Sequence, residues 1–200
     1  PCQYTKVFLA CDTYKQNSIK AGEREARGES NRYFLTSPDM KVPYDFLHNG
    51  ENKEMLFNLI QQAIVDGKSS LKGRTIFFSN KRDCMMINED QAIFVPSLSC
   101  NHEEADTKLV ALVFAANVRQ GDSVMVWSPS GDSDILALFI VHNFGDITIY
   151  IDNGTGKSRK IINVTSSELS ADEKVALIGL HAFSGNDYVS SSSSSSSSSS

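Results

Sequence analysis

Ser123 to Ile140 reads SVMVWSPSGDSDILALFI, and the fold follows from how this stretch is parsed. Val124, Met125, Val126 and Trp127 form an apolar run of strand length that stops at Ser128-Pro129-Ser130-Gly131. A second apolar run, of helical length, begins at Ile135. In the turn between them sit two carboxylates one residue apart, Asp132 and Asp134. Ligands of open α/β sheets bind outside the carboxyl ends of strands, where such turns lie. Mg²⁺ takes one or two carboxylates there and keeps several waters. An acidic helix start explains the same pair, with Asp132 as the cap and Asp134 favoured by the helix dipole. Taken alone, the pair reads first as that helix start, so the rest of the chain decides.

Upstream, Tyr4 to Cys11 is a strand-like run ending at a third carboxylate, Asp12. Ser18 to Arg27 predicts a helix with Lys20 and Arg27 two turns apart on one face. Residues 28–50 hold Pro38 and Pro43 and read as an irregular crossover. Asn52 to Asp66 predicts a helix with a buried stripe of Leu56, Leu59, Ile60, Ala63 and Ile64, stopped by Gly67. Arg74 to Ser79 and Gln91 to Val95 read as short strands joined by a loop. Asn101 to Val118 predicts a second helix, with Asn101 and Glu104 as a capping box and Leu109, Leu112, Val113 and Ala116 buried.

Downstream, Ile147 to Ile151 reads as a strand and Lys157 to Val164 as its hairpin partner, or a short edge strand, across Asn153-Gly154. Ser170 caps a last helix, Ala171 to about Phe183, before a turn that carries Asp187. Strands alternate with helices. That pattern predicts an α/β fold with a mainly parallel central sheet flanked by helices, a Rossmann-like three-layer arrangement. Trp127, inside a strand, is expected in the core rather than as a base-stacking platform. His102, His142 and His181 share no helix face at metal spacing and are expected in structural roles.

The 200 residues contain a hydrophobic fraction of 40% and a charged fraction of 22%, as an ordinary globular chain does. One domain over 1–189 is expected, followed by a disordered serine tail over 190–200 that has no apolar surface to bury. The net charge of −5 argues against broad electrostatic adhesion to nucleic acid, while leaving room for a local basic groove. Cys2, Cys11, Cys84 and Cys100 are widely spaced and read as reduced, mostly buried thiols. With no apolar run of membrane length, the expected location is intracellular and nuclear, with no membrane partner.

Six acids now stand at loop ends or helix starts: Asp12, Glu104, Asp106, Asp132, Asp134 and Asp187. Carboxylates gathered in a low-dielectric cleft repel one another, so their gathering requires cations. Two Mg²⁺ or Mn²⁺ ions, about 4 Å apart, are the cofactors that phosphodiester hydrolysis would use. The series Glu104-Ala-Asp106, Gly131-Asp-Ser-Asp134-Ile-Leu and Gly185-Asn-Asp187-Tyr188 resembles the internal nuclease region of the flap endonuclease branch of the PIN-like nucleases. Phe8 to Asp12, with Ser18-Ile-Lys-Ala-Gly-Glu and Arg27, is similar to that family's strand-end acid and basic helix. The wording Asn101-His-Glu-Glu-Ala-Asp-Thr107 also resembles uncharacterised proteins associated with animal mobile elements.

The resemblance covers 7–27 and 101–189, and its implications are specific. The six acids become metal ligands, Lys20 and Arg27 steer the scissile phosphate, and the partner is DNA or RNA with structured or single-stranded ends. It also implies an upstream strand bearing another acid and a downstream helical DNA-binding element. This chain carries neither, and so reads as a fragment. Asp106 stands where a Glu is usual. The alternatives are a catalytically degenerate PIN-like scaffold that binds nucleic acid or protein, and a glycosyltransferase that holds a metal and a nucleotide sugar at Asp132-Ser-Asp134. The second leaves Glu104, Asp106 and Asp187 without a role.

Overall fold

The computed structural model describes residues 4–14, 31–35, 41–115, 122–165 and 169–183. They fall into two compact units, Pro1–Asn117 and Val118–Ser200. The protein is a mixed α/β chain with two small mixed sheets and, among the described residues, four α-helices. This corrects the expectation of one mainly parallel central sheet. Each sheet has a single parallel pair, and every other pairing is antiparallel because short turns fold the chain back on itself.

In the first unit the sheet order is β1-β2-β3-β4, from Lys6–Ala10, Thr75–Asn80, Asp83–Ile87 and Ala92–Phe94. β1 and β2 run parallel, with Phe8 stacked on its register partner Phe77 at a centroid distance of 4.7 Å. β3 stands where a loop is expected, because polar Arg82-Asp83 and Asn88-Glu89-Asp90 bracket its short Cys-Met-Met-Ile core. It pairs with β2 across the two-residue turn Lys81-Arg82, where Lys81 adopts a left-handed φ of 54°.

Helix α1 (Gly50–Asp66) covers one face of this sheet, where Phe57, Ile64 and Val65 pack against Cys11, Phe78 and Ile87. Leu59 and Ile60, expected on the buried stripe, are exposed. The helix is instead rolled toward Asn52, which is wholly buried and bonds the Phe46 and Asn31 carbonyls and the Tyr33 amide. Helix α2 (Ala105–Ala115) lies toward the other face, where Leu112 packs with Cys84, Leu98, Phe8 and Phe77.

In the second unit β5 (Ser123–Ser128), α3 (Ser133–Val141) and β6 (Thr148–Asn153) make a parallel βαβ unit, and β7 (Lys160–Asn163) returns antiparallel to β6. The expected hairpin partner is therefore present. Val126, Ile149 and Ile151 share the buried sheet face by strand alternation, and Ile135 and Phe139 of α3 are buried as well. Phe139 stacks on Phe144 at 5.4 Å. Helix α4 (Ala171–Phe183) packs along α3, and Ser170 with Glu173 forms its capping box. No helix among the described residues is long and apolar enough to cross a membrane.

Burial pushes the Cys11 and Cys84 thiols up to about 11 from 9.0. At Cys11 the nearby Lys108 charge opposes that effect and Asp12 reinforces it. The folded chain thus holds protons that the unfolded chain releases above pH 9.0, and stability falls with rising pH in that window. Urea midpoints are expected to decline between pH 9.0 and about 11. The decline should shrink when both cysteines are replaced by Ala; an unchanged slope would assign it to other groups.

Candidate acidic site

At the carboxyl end of β1 the chain leaves the sheet through Cys11, Asp12 and Thr13. Asp12 Oδ1 accepts the backbone N–H of Ala105 at 2.8 Å, and the Thr13 N–H bonds the Glu103 carbonyl at 2.7 Å. A helix start leaves its first N–H groups without helical partners, so a carboxylate reaching in from a distant strand caps α2. The expected Asn101 cap gives way to this long-range one, and the helix begins at Ala105 rather than Asn101. The result joins Asp12 to the segment holding Glu104 and Asp106.

Directly beneath them lies a residue that the reading missed. Lys108 is wholly buried. It sits one turn before Leu112, on the stripe that meets the sheet, so its stem runs toward the carboxyl ends of the strands. Carbonyls emerge there, and the ammonium meets them. Lys108 Nζ donates to Cys11 O at 2.6 Å, to Thr13 Oγ1 at 2.8 Å and to Lys81 O at 2.9 Å. An ammonium has three N–H bonds, and three oxygens receive them. Lys81 O also accepts the Thr13 hydroxyl at 3.1 Å, which helps hold the left-handed turn residue in place. One cation thus fastens β1, the β2–β3 turn and α2 under Asp12.

In the second unit, Asp132 is the N-cap of α3 and its Oδ1 accepts the Asp134 N–H at 2.9 Å. The capping reading of that residue is therefore correct, and it leaves the second carboxylate oxygen uncommitted to that bond. Asp134 Oδ1 meets His181 Nε2 at 2.7 Å, an α3–α4 contact that no spacing rule announced. Ser128 Oγ and Asn153 Oδ1, on register partners at the carboxyl ends of β5 and β6, are buried with no hydrogen-bond partner among the described residues. Gly154, in the left-handed region at φ +78°, lets the next turn approach so that its N–H bonds Ser128 O at 2.9 Å.

Lys20, Arg27 and Asp187 lie outside the described residues. Asp12, Glu104 and Asp106 belong to the first unit and Asp132 and Asp134 to the second. Among the described residues no three His, Cys, Asp or Glu side chains surround one point as a protein-built metal cage would. The donors on offer are hard carboxylate oxygens, which suit a largely hydrated Mg²⁺ or Mn²⁺ and would not hold a softer metal well. Two open grooves of about 350 and 360 Å³ flank α1, and none of these acids lines them. The chain matches no family model, no curated protein and no solved structure.

Proposed function

We propose that the chain is a divalent-metal-dependent nuclease module of the PIN-like, flap endonuclease type. Asp12, Glu104, Asp106, Asp132, Asp134 and Asp187 are its metal-binding acids, and Lys20 and Arg27 its phosphate-steering cations. Mg²⁺ or Mn²⁺, when bound, would supply an activated water and a positive charge at the scissile phosphate. The protein's part is to hold the acids in place. The observation that carries the reading is the bond from the Ala105 amide to Asp12, which brings a strand-end acid to a helix start bearing Glu104 and Asp106. Such a junction of residues far apart in sequence is what the acidic-Ala-acidic resemblance requires.

Flap and single-stranded oligonucleotides with Mn²⁺ provide the test. Cleavage is expected with the metal, none with a chelator, and none by Asp132→Ala or Asp134→Ala. Metal-dependent cleavage that survives both substitutions would sink the assigned roles. The second reading, a scaffold that binds without cutting, is favoured by the lack of a three-acid cluster among the described residues. It is distinguished by nucleic-acid binding without Mn²⁺ uptake.

A further inference from the structure

The buried face of the second sheet ends in two oxygens that nothing in the protein satisfies. Ser128 is 1% exposed, and Asn153 is its register partner on β6, so the two side chains stand side by side on one face. Ser128 Oγ and Asn153 Oδ1 are both buried, and neither has a hydrogen bond, even to the other. A hydroxyl that rotates beside an amide oxygen would ordinarily donate to it, so the two are turned toward a shared third group. The opposite face carries Trp127, expected in the core and instead 69% exposed, and Ile161, 58% exposed. A crossover helix packs back onto its sheet and would cover side chains placed there, so α3 crosses the face of Ser128 and Asn153. The turns bring a carboxylate to this end. Ser128 O accepts the Gly131 N–H at 3.2 Å and the Gly154 N–H at 2.9 Å, so the turns leaving β5 and β6 close on one carbonyl. A Cβ on Gly131 would lie 3.8 Å from the Gly154 Cα, so these turns touch with no side chain between them. Asp132 follows directly and starts α3. One of its oxygens accepts the Asp134 N–H, and the other has no hydrogen bond among the described residues.

We propose that Ser128 Oγ, Asn153 Oδ1 and the second carboxylate oxygen of Asp132 form a pocket for one hydrated Mg²⁺ or Mn²⁺. All three donors are oxygens, which suits a hard cation, and with a single carboxylate the ion keeps several of its waters. An anion is disfavoured, because Asp132 and Asp134 both stand at this helix start. Hydroxyl and amide oxygens take the place of the further acids that the described residues do not gather around one point. Asp134 is not needed as a direct ligand, since its Oδ1 meets His181 Nε2. Lys160, the register partner of Asn153 on β7, is exposed and keeps its ammonium in solvent rather than in the pocket. The inference rests on the metal-binding role proposed for Asp132 and names two neutral ligands beside it. Its test reads metal binding alone, so it fails separately from cleavage.

Calorimetric titration of Mn²⁺ into the full chain, with no nucleic acid present, is the test. The parent is expected to bind the ion, and Ser128→Ala and Asn153→Ala to bind it about tenfold or more weakly, as loss of one partner at a metal site does. Asn153→Asp adds a second charge to the pocket and should bind Mn²⁺ more tightly than the parent. In chelator, Ser128→Ala should unfold at the parental urea concentration or above, since the hydroxyl it removes has no protein partner. Added Mn²⁺ should then raise the parental midpoint more than that of Ser128→Ala. Unchanged Mn²⁺ affinity in either alanine variant overturns the proposal. If the Ser128→Ala midpoint in chelator also falls, the two oxygens hold a buried water only. Loss of binding in Asp132→Ala alone would overturn it too, leaving the ion on the acids without the neutral ligands. No uptake by the parent would end both this pocket and the metal-binding role of Asp132.

Discussion

Lys108→Met is expected to destabilise the first unit by about 3 kcal/mol, the largest single effect on stability that the structure points to. The substitution nearly conserves volume, so no cavity confuses the result. What it removes is the donor shared by Cys11 O, Thr13 Oγ1 and Lys81 O. Two opposing effects decide the sign. Met spares the chain the cost of desolvating an ammonium, and a buried charge replaced by an apolar isostere is sometimes neutral or stabilising. Against that, the acceptors at the carboxyl end of β1 stay buried, and each oxygen left without a donor costs about 1–3 kcal/mol. Lys81 O keeps the Thr13 hydroxyl, whereas Cys11 O loses a charge-assisted bond of 2.6 Å. The second effect should win. Urea unfolding followed by far-UV dichroism provides the measurement. A variant as stable as the parent would show that the ammonium is tolerated rather than required.

The same residue shows where sequence reading stopped. A lysine on an amphipathic helix normally belongs to the wet face, and periodicity alone placed Leu109 on the stripe that Lys108 partly occupies. Nothing local distinguishes the two cases, because the reason for burying Lys108 lies 97 residues away, at the Cys11 carbonyl that follows β1. Trp127 failed in the opposite direction. Its strand was legible as a strand, but which face the sheet buries depends on where α3 crosses, and Val126 and Ser128 took the inside. Element positions were well marked wherever an apolar run met a glycine or a cap, as at Gly67, Asp132 and Ser170. Strand direction was not marked. The βαβ step from β5 to β6 fits the parallel expectation, but Lys81-Arg82 is a turn that no Gly or Asn signals, so the β2–β3 hairpin went unread. Of the candidate site, the sequence marked Asp12, Glu104 and Asp106 as acids at element ends, but the bond from the Ala105 amide to Asp12 was not legible, because Asn101 offers a local cap and Asp12 lies 93 residues away. The Asp134–His181 contact was not, since it joins two helices through side chains alone.

Asp12 offers the sharpest separation of structural from chemical roles, because its two natural replacements differ in one property each. Asp12→Asn keeps an acceptor oxygen for the Ala105 amide and loses the charge. Asp12→Ala loses both. If Asp12 only caps α2, Asn should be close to parental in every assay, and Ala should cost about 1 kcal/mol, as the loss of an N-cap side chain does. If Asp12 is also a metal-binding acid, Asn should keep that stability while its Mn²⁺-dependent cleavage falls by about a hundredfold or more, beyond what loss of a supporting partner costs. Calorimetry on the same variant should show a matching loss of Mn²⁺ affinity, and that readout needs no turnover. The expected outcome is the split: stability retained in Asn, reduced in Ala, and metal-dependent chemistry lost in both. Cleavage and Mn²⁺ binding that persist in Asp12→Asn would confine this carboxylate to its bond with Ala105, and would take from the nuclease reading the observation on which it chiefly rests.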